Sequence, residues 1–170
     1  MQQRPHPFSA SEFRQVMGGF ATGITIVTTV DAAGDTPYGM TASSFSSVSL
    51  DPPLVLVCVI SGTTGEQSLD ANGVFAVNII TEHQEPLSRY FASRDRPRGK
   101  AAFANVPHRT VVTGSPVIDA CAAFVDCRVH AQHEAGDHVI FIGEVLALGT
   151  DSDEPPLLFH GGSYRTLAPS

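Results

Sequence analysis

The strongest constraint on the fold is a series of short apolar runs, rich in β-branched residues and bounded by turn formers. Leu54–Ile60, LVLVCVI, follows Asp51-Pro52-Pro53 and is too short for an independent helix. Continuous apolarity over that length predicts a fully buried central strand. Ile24–Val30, ITIVTTV, and Val74–Ile80, VFAVNII, predict two more strands. Ala32-Ala33-Gly34-Asp35 reads as a hairpin turn, with a return strand starting over Tyr38–Thr41. Thr110–Thr113 and Pro116–Ile118 are short segments before a long hairpin, in which Ala122–Gln132 and Val139–Leu148 flank Glu134–Asp137. Leu157–His160 and Ser163–Leu167 close the chain across Gly161-Gly162.

Helix signals are fewer. Ser9 and Glu12 have capping-box spacing and open a helix to about Gly18; Thr81 and Gln84 repeat it for a helix through about Ala92. Thr64–Ala71 is a third, ended by Asn72-Gly73. Strands that dominate at short spacing point to a mainly β fold, a closed barrel with a few short covering helices. The 170 residues fit one domain, expected over residues 9–168 behind an N-terminal arm of residues 1–8. That length buries a core without disulfide or zinc staples.

Hydrophobic residues make up 42% of the chain and charged residues only 16%, which excludes disorder for most of it. The longest apolar run is far too short to span a bilayer. Met1–Pro7 lacks the apolar core of a signal peptide, so a cytoplasmic protein with no membrane partner is expected. Cys58, Cys121 and Cys127 match neither a CxxC pair nor a zinc knuckle and read as small apolar residues in a reducing compartment.

The net charge of −7 argues against nucleic acid as a partner. Its distribution says more. Between Arg89 and Arg109 lie six basic residues and one acid, a local +5, against −12 for the remainder. One basic segment on an acidic protein suits a small anionic ligand such as a phosphate or nucleotide.

Signatures of dinucleotide folds, P-loops and serine hydrolases are absent. His133-Glu134 followed by His138 misses the HExxH spacing and lies across a hairpin turn, so no metal site is expected. The segment Gly39–Ser47, GMTASSFSS, places five hydroxyl side chains around one Phe, a surface that backbone amides and adaptable donors can offer to a ligand. A planar, phosphorylated cofactor needs a polar edge, an apolar wall and cations for its phosphate. The hydroxyl segment, the Cys58-Val59-Ile60 strand end and the Arg94 region could supply these. No catalytic acid or base is then required, because the cofactor performs the electron transfer.

The ordered set Phe13-Arg14-Gln-Val-Met-Gly-Gly-Phe-Ala-Thr-Gly23, Gly39-Met-Thr-Ala-Ser-Ser-Phe45, Ser49-Leu-Asp-Pro-Pro-Leu-Val55, Phe75-Ala-Val-Asn78, Phe91-Ala92, Gly136-Asp-His138, Ile142-Gly-Glu-Val145 and Pro156-Leu-Leu-Phe159 with Tyr164-Arg165 resembles the short-chain flavin reductase family. That family includes the reductase components of two-component flavin-dependent monooxygenases. The resemblance implies an FMN-binding split β-barrel that takes FMN or FAD, with NADH or NADPH as co-substrate. It also implies a homodimer with flavin sites near the subunit interface, and a partner oxygenase that receives reduced flavin. By position, Thr41, Ala42, Ser43 and Ser44 would line the ring edge and ribityl chain, Ser44 near flavin N5. Cys58, Val59 and Ile60 would lie along the flavin, with Thr64 near its phosphate end. Phe91, Ala92, Ser93 and Arg94 would complete the phosphate or adenylate side. His138, the one catalytic candidate, would sit beside the nicotinamide, with Tyr164 and Arg165 bordering that pocket.

Two other functions share the barrel: a non-enzymatic flavin- or haem-binding protein that carries its cofactor, and an oxidase of a phosphorylated pyridoxal-type vitamin. The residues leave open FMN against FAD, and NADH against NADPH.

Overall fold

The computed structural model describes residues 7–31 and 33–168. Residues 1–6 of the expected arm, and Ala32 of the expected hairpin turn, lie outside the described residues. In chain order the elements are α1 (Ala10–Met17), β1 (Thr22–Gly23), β2 (Thr25–Val30), β3 (Pro37–Ala42), β4 (Phe45–Leu50), β5 (Pro53–Ile60), α2 (Thr64–Asn72) and β6 (Val74–Ile79). They continue with α3 (Glu85–Ala92), α4 (Lys100–Phe103), β7 (His108–Arg109), β8 (Val117–Ile118), β9 (Ala123–Ala135), β10 (His138–Thr150), β11 (Leu158–His160) and β12 (Ser163–Arg165). The mainly β class read from the sequence holds.

Seven strands form one antiparallel sheet in the order β3-β2-β6-β9-β10-β5-β4. Leu54–Ile60 lies within β5, next to the edge strand rather than at the centre, and is buried on one face only. Val55, Val57 and Val59 point into the core, whereas Leu54, Leu56 and Cys58 are half-buried and Ile60 is exposed. Strand β2 is buried on both faces along its whole length, as β6 is over its four central residues. Ile26 packs with Phe91, Phe103 and Leu157 on one side of the sheet, and Val27 packs with Val57, Phe75 and Phe141 on the other. Its threonines tolerate this because each hydroxyl donates to a carbonyl: Thr25 to Ala42, Thr28 to Pro116 and Thr29 to Val74. Apolarity alone could not distinguish β5 from β2, since a satisfied threonine is as buriable as a valine.

The β9–β10 hairpin is longer than its sequence pattern suggests. The strands run to Ala135 and from His138, so only Gly136 and Asp137 form the turn, with Gly136 at φ +67°. The hydroxyl-rich segment read as a ligand-facing surface is mostly strand: β3 ends at Ala42, and β4 starts at Phe45 after a two-residue corner. The helix expected from Thr81 opens as a 3-10 turn, Glu82–Gln84, and becomes α3 at Glu85 where Pro86 fills an early position. Among the described residues, no helix is long and apolar enough to cross a membrane.

Candidate active site

The β3–β4 corner, the end of β5, the N-terminus of α2, the C-terminus of α3, the loop after it and the first residue of β10 enclose a cavity of about 760 Å³. That is within the usual range for a cofactor or substrate pocket, roughly 300–1,000 Å³. It gathers the expected residues Thr41, Ala42, Ser43, Ser44, Cys58, Val59, Ile60, Thr64, Phe91, Ala92, Arg94 and His138.

At the corner, two hydroxyls serve the fold. Thr41 Oγ1 donates to the Ser88 carbonyl of α3 at 2.6 Å. Ser44 Oγ donates to the Cys58 carbonyl at 2.8 Å and accepts from the Cys58 amide at 3.2 Å. These bonds tie β3 to α3 and the corner to β5, so the wall is stiff before anything binds. Below it, Cys58 and Ile60 occupy the face of β5 opposite the core valines. Burial pushes the Cys58 thiol above its ordinary value, so it stays protonated at neutral pH and acts as apolar surface.

Cations mark the opposite end. Arg94 and Arg98 line the cavity, are exposed, and have no ion-pair or hydrogen-bond partner among the described residues. Arg96 between them donates to the carbonyls of Gly39 and Ser93. Near this end α2 begins: Thr63 Oγ1 accepts from the Glu66 amide, and Glu66 Oε2 accepts from the Gly62 amide at 3.2 Å. A helix N-terminus with unsatisfied amides favours an anion. Thr63, Tyr38, Met40, Arg96 and Arg98 were not singled out from the sequence, although Thr63-x-x-Glu66 is itself a capping-box spacing.

Only glycine fits at position 39. A Cβ there would lie 2.6 Å from Phe91 Cε1, so the bare backbone lets the Phe91 ring close the cavity floor beneath β3. Phe91 is therefore a core residue that shows one edge to the cavity.

His138 stands at the rim, paired in register with Ile60, its Nδ1 2.7 Å from Asp137 Oδ1. That hydrogen bond lowers the Asp137 carboxyl below its usual range, keeping an anion beside the imidazole.

Three expected residues do not reach this cavity. Ser93 caps α3, its amide bonded to Arg89 and Tyr90 carbonyls and its hydroxyl accepting from the Asp95 amide. Tyr164 turns toward α3, where its hydroxyl lies 2.8 Å from Ser88 Oγ, its ring packs edge-on against Phe159, and Arg89 covers its face. Arg165 follows it on β12, paired with Leu158 of β11. Both residues belong to the short strand β12, held by its pairing with β11.

Residues 17–168 match the family model described as flavin reductase like domain. The chain is 41% identical over 164 residues to an NADH-dependent FAD reductase of Streptomyces globisporus, covering 96% of this chain and 88% of that one. It is 40% identical over 159 residues to the reductase subunit HsaB of a flavin-dependent monooxygenase of Mycobacterium tuberculosis, covering 92% and 82%. Among solved structures it resembles the Streptomyces globisporus C-1027 NADH:FAD oxidoreductase SgcE6 in complex with NAD and FAD fragments. The TM-score is 0.88, with 38% identity and 98% of each chain covered.

Proposed function

Because the chain belongs to the flavin reductase-like family, we propose that it is an NAD(P)H-dependent flavin reductase supplying reduced FMN or FAD to a partner monooxygenase, with the cavity as its flavin site. Its fold is then the split barrel of that family. The observation that carries the reading is the polarity of the cavity: a stiff corner of amides and hydroxyls, an apolar strand end, and two unpaired arginines beside a helix N-terminus.

That donor set fits a phosphate-bearing planar group. Ala42, Ser43 and Ser44 would meet the polar ring edge, Cys58 and Ile60 with the Val59 backbone between them the ring and ribityl chain, and Arg94, Arg98 and Thr64 the phosphate. Ala92 and the edge of Phe91 complete that side. Bound flavin supplies the hydride-accepting ring for the nicotinamide. The protein's part is placement. Backbone amides of the corner, held by the Thr41 and Ser44 bonds, would stabilise negative charge on the reduced ring without reorganising. His138 at the rim would orient the nicotinamide. Ser93, Tyr164 and Arg165 do not line this chain's own cavity.

The sheet supports a homodimer as part of this reading. On the outer face of β5 and β10, Leu54, Leu56, Cys58, Ile60, Ile140 and Ile142 form a continuous apolar surface that runs into the cavity wall. A second copy seated there would bury it and narrow the cavity mouth. Three unpaired cysteines support a cytoplasmic setting.

The test mixes purified protein with NADH or NADPH and FMN or FAD, and follows nicotinamide oxidation. Turnover above the protein-free rate with at least one pair is expected. No acceleration with any pair removes the enzymatic reading, and a tightly retained coloured cofactor in that case would favour a carrier.

A further inference from the structure

Among the basic residues around the cavity, Arg96 stands apart in its surroundings. Its two terminal nitrogens donate to backbone carbonyls on different elements, Ser93 at the end of α3 and Gly39 in the middle of β3. The guanidinium carbon lies 5.6 Å from the Tyr38 ring centre and 5.7 Å from that of Phe91, within reach of both π faces. Among the described residues no carboxylate pairs with it, and its charge is met by two carbonyls and two rings. All three arginines line the cavity, but Arg94 and Arg98, two residues to either side, have no such partners among the described residues. Lys100 adds a second tie at the far end of the loop, through a 2.8 Å ion pair with Asp35 beyond β2.

A loop holding several arginines on exposed backbone would sample many arrangements, and fixing it costs entropy at the moment of binding. The planar fork of one arginine, spent on two carbonyls, removes part of that cost beforehand. We propose that Arg96 is a positioning residue for flavin phosphate recognition: it pins the 93–99 loop to β3 so that Arg94 and Arg98 face the cavity, and does not itself bind phosphate. This rests on the flavin site described above.

The test compares binding of FMN with binding of riboflavin, which has the same ring and ribityl chain without the phosphate, by flavin fluorescence titration. Arg96→Met is expected to weaken FMN binding about five- to tenfold while leaving riboflavin unchanged. Added to Arg94→Ala/Arg98→Ala, Arg96→Met should cause no further loss, because the residues it positions are gone. A further FMN-specific loss on that background would make Arg96 a direct phosphate ligand and overturn the assignment. Equal losses for both flavins would reduce it to general scaffolding. Arg96→Lys keeps the charge but cannot bridge both carbonyls, and serves if Arg96→Met does not fold; wild-type FMN affinity in it would overturn the bridging role. Wild-type protein that binds neither flavin defeats the functional reading itself, whereas a wild-type preference for FMN that survives Arg96→Met defeats only the role of Arg96.

Discussion

The two ends of the cavity are built on opposite terms. At the β3–β4 corner the side-chain hydroxyls are consumed internally: Thr41 holds α3 and Ser44 holds both backbone groups of Cys58. At the basic loop one arginine is consumed internally and two remain unpaired. The corner therefore offers a fixed edge at no cost on binding, and the loop offers charge that must still be ordered. A ligand with a rigid ring and a flexible phosphate tail matches that division, and a reductase that must release its product gains from keeping the charged end loose.

The largest effect should come from breaking the charged end. Arg94→Ala/Arg98→Ala is expected to cost about 2–3 kcal/mol in FMN affinity, measured by fluorescence titration, with no change in thermal midpoint. The salt dependence of FMN binding should flatten in the same variant, since exposed charges are screened over about 8–10 Å at ordinary ionic strength. A lowered midpoint would mean that these arginines hold the fold, and the contrast with the corner would fail.

Next come two buried thiols, Cys127 in the core cluster behind the corner and Cys121 in a separate one with Ala76, Val117 and Phe124. Burial pushes the Cys121 thiol up to about 11 and Cys127 up to about 12, from an ordinary 9.0. A thiol whose folded value is raised contributes stability that is complete below the unfolded value and is lost as pH rises toward the folded one. Denaturant unfolding between pH 9 and pH 11 should thus show stability falling by up to about 1.4 kcal/mol per pH unit for each thiol. Cys127→Ala, compared across the same pH range, should flatten the slope even though it lowers stability at neutral pH.

A smaller effect is expected at the corner itself. Ser44→Ala removes two hydrogen bonds to Cys58 and should lower stability by about 1 kcal/mol, read by denaturant unfolding, while the preference for FMN over riboflavin stays unchanged. A selective loss of FMN binding would place phosphate recognition at the wrong end. Smallest of all, His138→Ala should raise the nicotinamide KM severalfold with the flavin Kd preserved, as steady-state kinetics and titration together would report.

Much of this was legible beforehand where the signal was local. The capping box of Ser9 and Glu12 is present as two reciprocal bonds, and the αL glycine that ends α2 stands at Gly73. The hydroxyl segment, the strand end and Arg94 do meet around one cavity. Other features depend on partners distant in sequence. Nothing near Tyr164 reveals that its hydroxyl meets Ser88, 76 positions earlier, and nothing near Arg96 reveals that it reaches back to Gly39. Charge density alone made Arg94, Arg96 and Arg98 equivalent.

The sequence by itself determined the mainly β class, the positions of most turns and helix caps, and a single basic segment on an acidic chain. These follow from side-chain shape, turn chemistry and charge, which act between neighbours. Only the tertiary structure decided which strands are buried on both faces, which hydroxyls are spent on the fold, and which arginine anchors the loop while its two neighbours stay unpaired at the cavity. Hydrogen-bond satisfaction and burial are settled among groups brought together by folding, and the order of residues along the chain does not record them.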